Sequence, residues 1–382
     1  MMYRNTARVC RAGVVNQAVI ANVTAVLFVP FARLYGFTYV QLGILAAAGF
    51  CAQLAADTFL LFFIDRLSSK KLAACAAFLS CAGLVFYGTL PYFCDELFFG
   101  ILAATAVFAF AGGMLEVVLS NAAECALSES GGLCLQRTMY AWAQVGLALF
   151  LFVFFALFGA HRWNVAVLLL AAVPAFVLVC LPAAQLPKGE CLAPRRTAFR
   201  PFYLFALAAV FFGCGAEVAV NQYVSSFAQE LFGQEWGALL GFALFAVCLG
   251  VGGTCFVLLK KRGAPFCILL FSALLAGGCY LAAALAPAPF ALAAAVACGL
   301  FVGVLSPGAM SAAGKFLPQT GGWLLASLAL AQDVGGAALP AVMGAAAEGG
   351  GIRAAFLLLS AAPFLAAACL FLMDVIQKRE QK

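Results

Sequence analysis

The sequence predicts an all-α membrane protein with about twelve transmembrane helices, and three observations carry that prediction. Hydrophobic residues make up 66% of the chain and charged residues only 9%, where a soluble domain carries roughly 25% charged residues. The apolar residues come in unbroken runs of about twenty or more, the length a helix needs to cross the hydrocarbon core. The runs do not alternate apolar and polar residues in segments of about ten, as a β-barrel would. Backbone polar groups in lipid must then be satisfied inside helices.

In chain order the spans read as 12–32, 39–64, 72–92, 97–122, 138–159, 164–182, 202–224, 236–259, 265–286, 290–312, 322–343 and 353–375. The first apolar run reads as a retained span rather than a cleaved leader. An even count puts both termini on one side. Of the 21 Lys and Arg residues, only Arg33, Arg162 and Arg353 fall in the connections on the opposite side. The positive-inside rule therefore predicts cytoplasmic termini in a cytoplasmic membrane. The longest inner connection, 183–201, holds Pro187, Pro194 and several basic residues. It divides the chain into 1–182 and 202–382, six spans each. Span five carries Gln144-Val145-Gly146 and span eleven Asp333-Val334-Gly335, at matching positions in an outward-going helix. That echo suggests a duplicated architecture with parallel repeats.

Composition also sets aside other classes. The net charge of +6 sits in short basic clusters between apolar runs, an orientation signal that calls for no nucleic acid. The 16 cysteines include no CxxC pair, and His161 is the one histidine; inside apolar runs cysteine acts as a small hydrophobe. No metal or cofactor is expected. HExxH, GxSxG and P-loop patterns are missing from the sequence, so neither an enzyme nor an ATP-driven pump is expected. The expected partners are a small-molecule solute and the lipid bilayer.

Ionisable residues inside spans are costly and default to functional candidates. Glu116 follows Gly112-Gly113 in span four, where small residues permit close helix approach, and its span has no basic residue to pair with. It could take and release a proton, or bond a neighbouring helix. Glu217 and Asn221 lie one turn apart on span seven; they could bind solute hydroxyls, or Glu217 could cap the outer end. Asp333 could pair with a cation, or brace span eleven against span two. Asp57 and Glu124 lie nearer the inner boundary. Among neutral groups, Asn22, Gln53, Tyr140, Trp142 and Gln144 could contact solute. Gln17 and Asn22 point about 140° apart on a helix, and Asn22 is the better candidate for the pathway. Tyr140 and Trp142 together could stack on a sugar ring. In the loop His161-Arg162-Trp163, His161 reads as solvated and Trp163 as an interface anchor.

The loop after span two resembles the signature of the major facilitator superfamily, Gly-x-x-x-Asp-Arg-x-Gly-Arg-Lys. Here Asp65-Arg66 and Lys70-Lys71 match, while Leu61, Ser68 and Ser69 replace the two glycines and the first arginine. Gly112-Gly113-Met114-Leu115-Glu116, the stretch from Gly36 through Gln41 and Gly43 to Gln53 and Asp57, and Ser306-Pro307-Gly308 are similar to the fucose-permease-like, sugar-type branch. The resemblance covers nearly the whole chain. It implies two six-helix bundles, a monomer, and a secondary transporter that moves a sugar or similar metabolite by alternating access. It implies proton coupling through Glu116. Members of that branch also carry a span-one aspartate, where this chain offers Asn16, Gln17 and Asn22. Asp65, beside the N-terminus of span eleven, would act with Arg66 and Asp57 in gating, or Asp65 and Arg66 would be a solvated loop pair. The alternatives are an exporter of drugs or amphipathic compounds, and a non-transporting sensor on the same scaffold.

Overall fold

The computed structural model of the protein describes residues 2–63, 67–94, 96–127, 132–186, 201–233, 235–259, 265–317 and 321–380. Regular structure among these residues is helical throughout. The first crossing is made by α1 (Met2–Val26) and α2 (Phe28–Tyr35). Then come α3 (Tyr39–Phe63), α4 (Ser69–Thr89), α5 (Leu97–Leu127) and α6 (Gly132–Phe158), and a sixth crossing built from α7 (Trp163–Leu170) and α8 (Ala172–Cys180). After 187–200 follow α9 (Pro201–Phe232), α10 (Glu235–Leu259) and α11 (Pro265–Leu285). A tenth crossing joins α12 (Ala288–Val302) to α13 (Leu305–Phe316), and α14 (Gly321–Leu359) and α15 (Ala361–Glu380) close the chain.

Eleven stretches of the described residues are long and apolar enough to cross a membrane, the last running 55 residues from Ala326 to Glu380. At 1.5 Å per residue a straight helix of that length would far exceed a hydrocarbon core of about 30 Å. It is not straight: Gly351 takes φ +80°, a left-handed turn that glycine adopts at no steric cost. The chain reverses there, which gives the twelve crossings expected from the sequence. Both ends of the chain lie at one end of the molecule, called here the termini end.

Prolines set the breaks inside crossings. A proline ring clashes with the carbonyl four residues earlier and removes its hydrogen-bond donor. Pro30 stands four residues after Val26, where α1 stops. Pro174 stands four after Leu170, the last residue of α7. Pro307 stands four after Gly303, the cap of α12.

Three basic side chains cap helix C-termini, where unpaired carbonyls attract cations. Lys70 donates to Pro182 O at 2.7 Å and Ala184 O at 3.3 Å, just past α8. Arg353 reaches Ala284 O and Ala286 O at the end of α11. Arg33 donates to Gly233 O at 3.0 Å, beyond the last residue of α9.

The helices before residue 187 pack among themselves, α1 on α5, α6 and α8, and α4 on α5, α7 and α8. Those after residue 200 do likewise, α9 on α10, α13 and α15, and α11 on α12 and α15. Two long seams join the sets: α3 against α14 and α6 against α10. At the end away from the termini, the α3–α14 seam is closed by glycine. A Cβ on Gly344 would fall 2.7 Å from Tyr39 O and 3.2 Å from Gly43 Cα, so no other residue fits without separating the helices. Trp163 departs from the sequence expectation. It is buried, its ring packed edge-on against Phe31, Tyr35 and Tyr87, and its N–H donates to Tyr35 OH at 3.2 Å. Aromatic residues from two other crossings make a site for it inside the protein rather than at the lipid interface.

Candidate functional site

A hydrogen-bonded cluster of carboxamides lies at mid-depth, where α1, α6 and α9 meet. Gln144 Nε2 donates to Asn22 Oδ1 at 2.7 Å and to Asn221 Oδ1 at 2.8 Å. Asn221 Nδ2 donates to Asn22 Oδ1 at 2.5 Å. Asn22 Nδ2 completes the set with bonds to Ala18 O at 2.8 Å and Tyr140 OH at 2.9 Å. Helical spacing explains the assembly: Tyr140 and Gln144 lie four residues apart and share one face of α6. Asn22, Gln144 and Asn221 are buried, yet Gln144 Oε1 has no hydrogen-bond donor, a costly arrangement in a native interior.

The face of α1 that carries Asn22 continues through Ala18, Val15 and Arg11, at helical spacing. Along it burial gives way to exposure at Val15 and Arg11, toward the termini end. Gln17 takes a different direction and lies against Gly112 of α5. The separation read from the sequence between Gln17 and Asn22 is what the structure has.

Trp142 does not join Tyr140. Its ring lies over Gly250 of α10, 3.1 Å from where a Cβ would stand, and is 46% exposed. Two residues on a helix are about 200° apart, so one aromatic faces the amides while the other lines the α6–α10 seam. The stacking pair expected from the sequence does not form. Glu217 is 3% exposed, one turn below Asn221, which removes the reading of an outer-end cap in water. Gln53 is buried beside Gly113 on α5.

Three carboxyl groups meet in the half nearer the termini. Asp333 of α14 is buried and stands against Asp57 of α3, close enough for the two side chains to interact. Glu116 of α5 stands within electrostatic reach of both. Asp333 thus lies where span eleven meets span two, beside a residue the sequence did not pair with it. Asp65 and Arg66 lie outside the described residues, as does the Glu124 side chain.

At the end away from the termini, hydrogen bonds tie the first set of helices to the second. Tyr39 OH donates to Glu230 Oε2 at 3.1 Å, Val40 N to Glu348 Oε2 at 3.4 Å, and Tyr223 OH to Tyr39 O at 3.2 Å. Arg33 adds its bond to Gly233 O. Deeper in, Ser225 Oγ donates to Ala25 O and Gln222 Nε2 to Ala21 O. Sequence reasoning missed this seam. Glu230 and Glu348 stand at span ends, where a carboxylate reads as solvated; the available signal was the Gly43 and Gly344 pair.

No family model matches the chain, and no curated protein matches it. Solved structures do. A major facilitator superfamily transporter, FucP, in the outward conformation is 20% identical, with a TM-score of 0.69 over 96% of this chain and 98% of that one. A structure of the E. coli fucose:proton symporter FucP is 19% identical, with a TM-score of 0.70 over 98% and 99%. A bacterial homologue of the human lysosomal transporter Spinster, inward-facing and occupied, is 14% identical, with a TM-score of 0.75 over 97% and 96%. At such identities the likeness speaks for the fold, and it extends over nearly the whole of each chain. Twelve crossings, the α3–α14 and α6–α10 seams and a buried polar cluster between the two sets of helices accordingly make up the major facilitator fold.

Proposed function

We propose that the protein is a secondary active transporter, without catalytic activity, that carries a small polar solute across the cytoplasmic membrane by alternating access. The termini face the cytoplasm and the monomer is the working unit. Residues 1–182 and 202–382 form two six-helix bundles joined by the linker 183–201, and they rock about the amide cluster. The observation that carries this reading is that cluster. Asn22 and Gln144 belong to the first bundle and Asn221 to the second, and their mutual hydrogen bonds are ones a solute can replace. Carboxamides offer paired donors and acceptors without charge, which suits hydroxyl groups, and Gln144 Oε1 is an acceptor still to be satisfied. Glu217 and Tyr140 border the same space.

Coupling to protons rests on Glu116 and its neighbours, and is supported by the likeness to a structure described as a fucose:proton symporter. In this reading a proton shared between Asp57 and Asp333 keeps α3 on α14. Its departure leaves like charges face to face, which favours parting of the helices. Glu116 supplies the exchange of that proton with the cavity.

Reconstitution into liposomes tests the proposal, with a panel of sugars, organic acids and drugs and with or without a pH gradient. The expected result is uptake of a polyhydroxylated solute, accelerated by an inward proton gradient. Failure to move any solute of the panel would remove the transporter reading. Glu116→Gln is expected to abolish uphill uptake and spare exchange; uphill uptake at the wild-type level would remove the proton role alone.

A further inference from the structure

The backbone fixes the hydrogen-bond polarity of the amide cluster. Asn22 Nδ2 lies 2.8 Å from Ala18 O, and a carbonyl oxygen can only accept. That contact settles which end of the Asn22 amide is the NH2 group, so Asn22 Oδ1 is an acceptor. The atom that Gln144 directs at it must then be Nε2, and the atom that Asn221 directs at it must be Nδ2. Turning either amide over would set oxygen against oxygen. Gln144 Oε1 is left at the far end of its amide, buried and without a donor among the described residues.

Gln222 repeats the pattern one residue along α9. Its side chain is 3% exposed. Nε2 donates to Ala21 O at 3.4 Å, which again fixes the amide, and Oε1 has no donor among the described residues. Three residues further on, Ser225 Oγ donates to Ala25 O at 3.4 Å. The carbonyls of α1 at Ala18, Ala21 and Ala25 thus take up side-chain donors from α1 and α9. Asn22, Gln144, Asn221 and Gln222 carry eight amide hydrogens between them, and six are given to acceptors among the described residues. The donors of this region are mostly engaged, while two carbonyl oxygens, one from each set of helices, are not. Gln222 adjoins Asn221 in the chain and Ala21 adjoins Asn22, so both oxygens belong to one region of the interior.

Resting on the transport reading above, we infer that Gln144 Oε1 and Gln222 Oε1 together set the solute specificity: they recognise a solute that presents two hydrogen-bond donors, as neighbouring hydroxyl or amino groups, and reject one that presents a carboxylate or an ether there. Gln222 is thereby a specificity-determining residue beside the cluster already described. A hydroxyl donates to such an oxygen and can still accept from an amide hydrogen. An amino group donates as well. A carboxylate or a methylated hydroxyl brings only lone pairs, so oxygen faces oxygen and the buried acceptors stay unsatisfied. Sites built to bond an O–H or N–H group discriminate strongly against analogues that lack it.

The experiment measures binding to the purified whole protein in detergent by thermal stabilisation, which reads the site without requiring transport. The probes are matched sets of monosaccharides: each parent sugar, its 2-amino form, its monodeoxy forms, its permethylated form and its uronic acid. Parent and amino compounds of at least one set are expected to stabilise the protein. The permethylated and acid forms are expected to bind about a hundredfold more weakly, and the deoxy form lacking either matched hydroxyl about tenfold more weakly. Gln222→Met keeps the length of the side chain and removes its acceptor. It is expected to weaken the parent about tenfold and to bind one deoxy compound as well as the parent, because the missing hydroxyl has lost its partner. A merely structural defect weakens every compound alike. The inference is overturned by permethylated or acid forms that bind as tightly as the parent, by no stabilisation from any parent or amino compound, or by a folded Gln222→Met protein that discriminates among deoxy compounds as wild type does. If that variant unfolds, the wild-type order of affinities decides alone. Transport without this order removes the donor rule and leaves the transporter reading, whereas this order without transport removes the transporter reading and leaves the rule.

Discussion

Asn221 directs both polar atoms of its side chain at the first set of helices, one to Asn22 and one to Gln144. Replacing it with alanine removes two bonds and leaves the remaining amides short of partners in a dry interior. A buried polar group left unsatisfied costs about 1–3 kcal/mol. Asn221→Ala is therefore expected to lower the midpoint of thermal unfolding in detergent and to weaken solute binding, both measurable on the purified protein. The carboxyl pair makes a different prediction. Asp57→Asn keeps a hydrogen-bonding group against Asp333 but removes one of the two acids to which the proposal assigns the proton. The rate of solute exchange in Asp57→Asn liposomes is expected to depend less on pH than in wild type. An unchanged pH profile would show that the pair does not govern the parting of α3 from α14.

At the scale of elements, the spans were legible because hydrocarbon thickness fixes their length: 97–122 became α5 (Leu97–Leu127) and 236–259 became α10 (Glu235–Leu259). The breaks inside crossings were less so. Pro30, Pro174 and Pro307 all break their crossings by the same four-residue rule. The separation of Tyr140 from Trp142 was open to helical arithmetic as well. The Asp57–Asp333 pairing was not, since nothing local in sequence brings these two residues together. Nor was the burial of Trp163, whose cage comes from two other crossings. Pro307→Ala is expected to restore the hydrogen bond at Gly303 and straighten the tenth crossing. Because α13 packs on α9 and α11 through that bend, solute flux should fall several-fold while the protein stays folded. Flux and the unfolding midpoint, measured on the same preparation, check both halves of the expectation. Arg353→Gln tests a cap instead: losing the bonds to Ala284 O and Ala286 O should cost about 0.3–1 kcal/mol, a small drop in thermal stability.

Over the whole molecule, the hydrogen bonds between the two sets of helices gather at mid-depth and at the end away from the termini, while α1 is exposed at Val15 and Arg11 toward the other end. The alternating access proposed for this protein would require the bonds of Tyr39, Val40 and Arg33 to break in each cycle. Tyr39→Cys with Glu230→Cys, joined by a short thiol-reactive bridge in a background without the other exposed cysteines, is expected to stop transport. A cleavable bridge should restore it on reduction. Continued flux in the bridged protein would show that this seam does not move.

The glycine contact at Gly344 and Gly43 carries a kinetic consequence of its own. Two backbones in direct touch leave no side-chain slack, so that seal is either wholly made or wholly broken. A carrier resting in the made state presents its empty cavity to one compartment and has to pay the full cost of unsealing before it can load from the other. With saturating solute on one side, none on the other and no ion gradient, initial flux out of the compartment bordering the termini should then exceed flux in the reverse direction. Gly344→Ala, by spoiling the seal, should bring the two rates together.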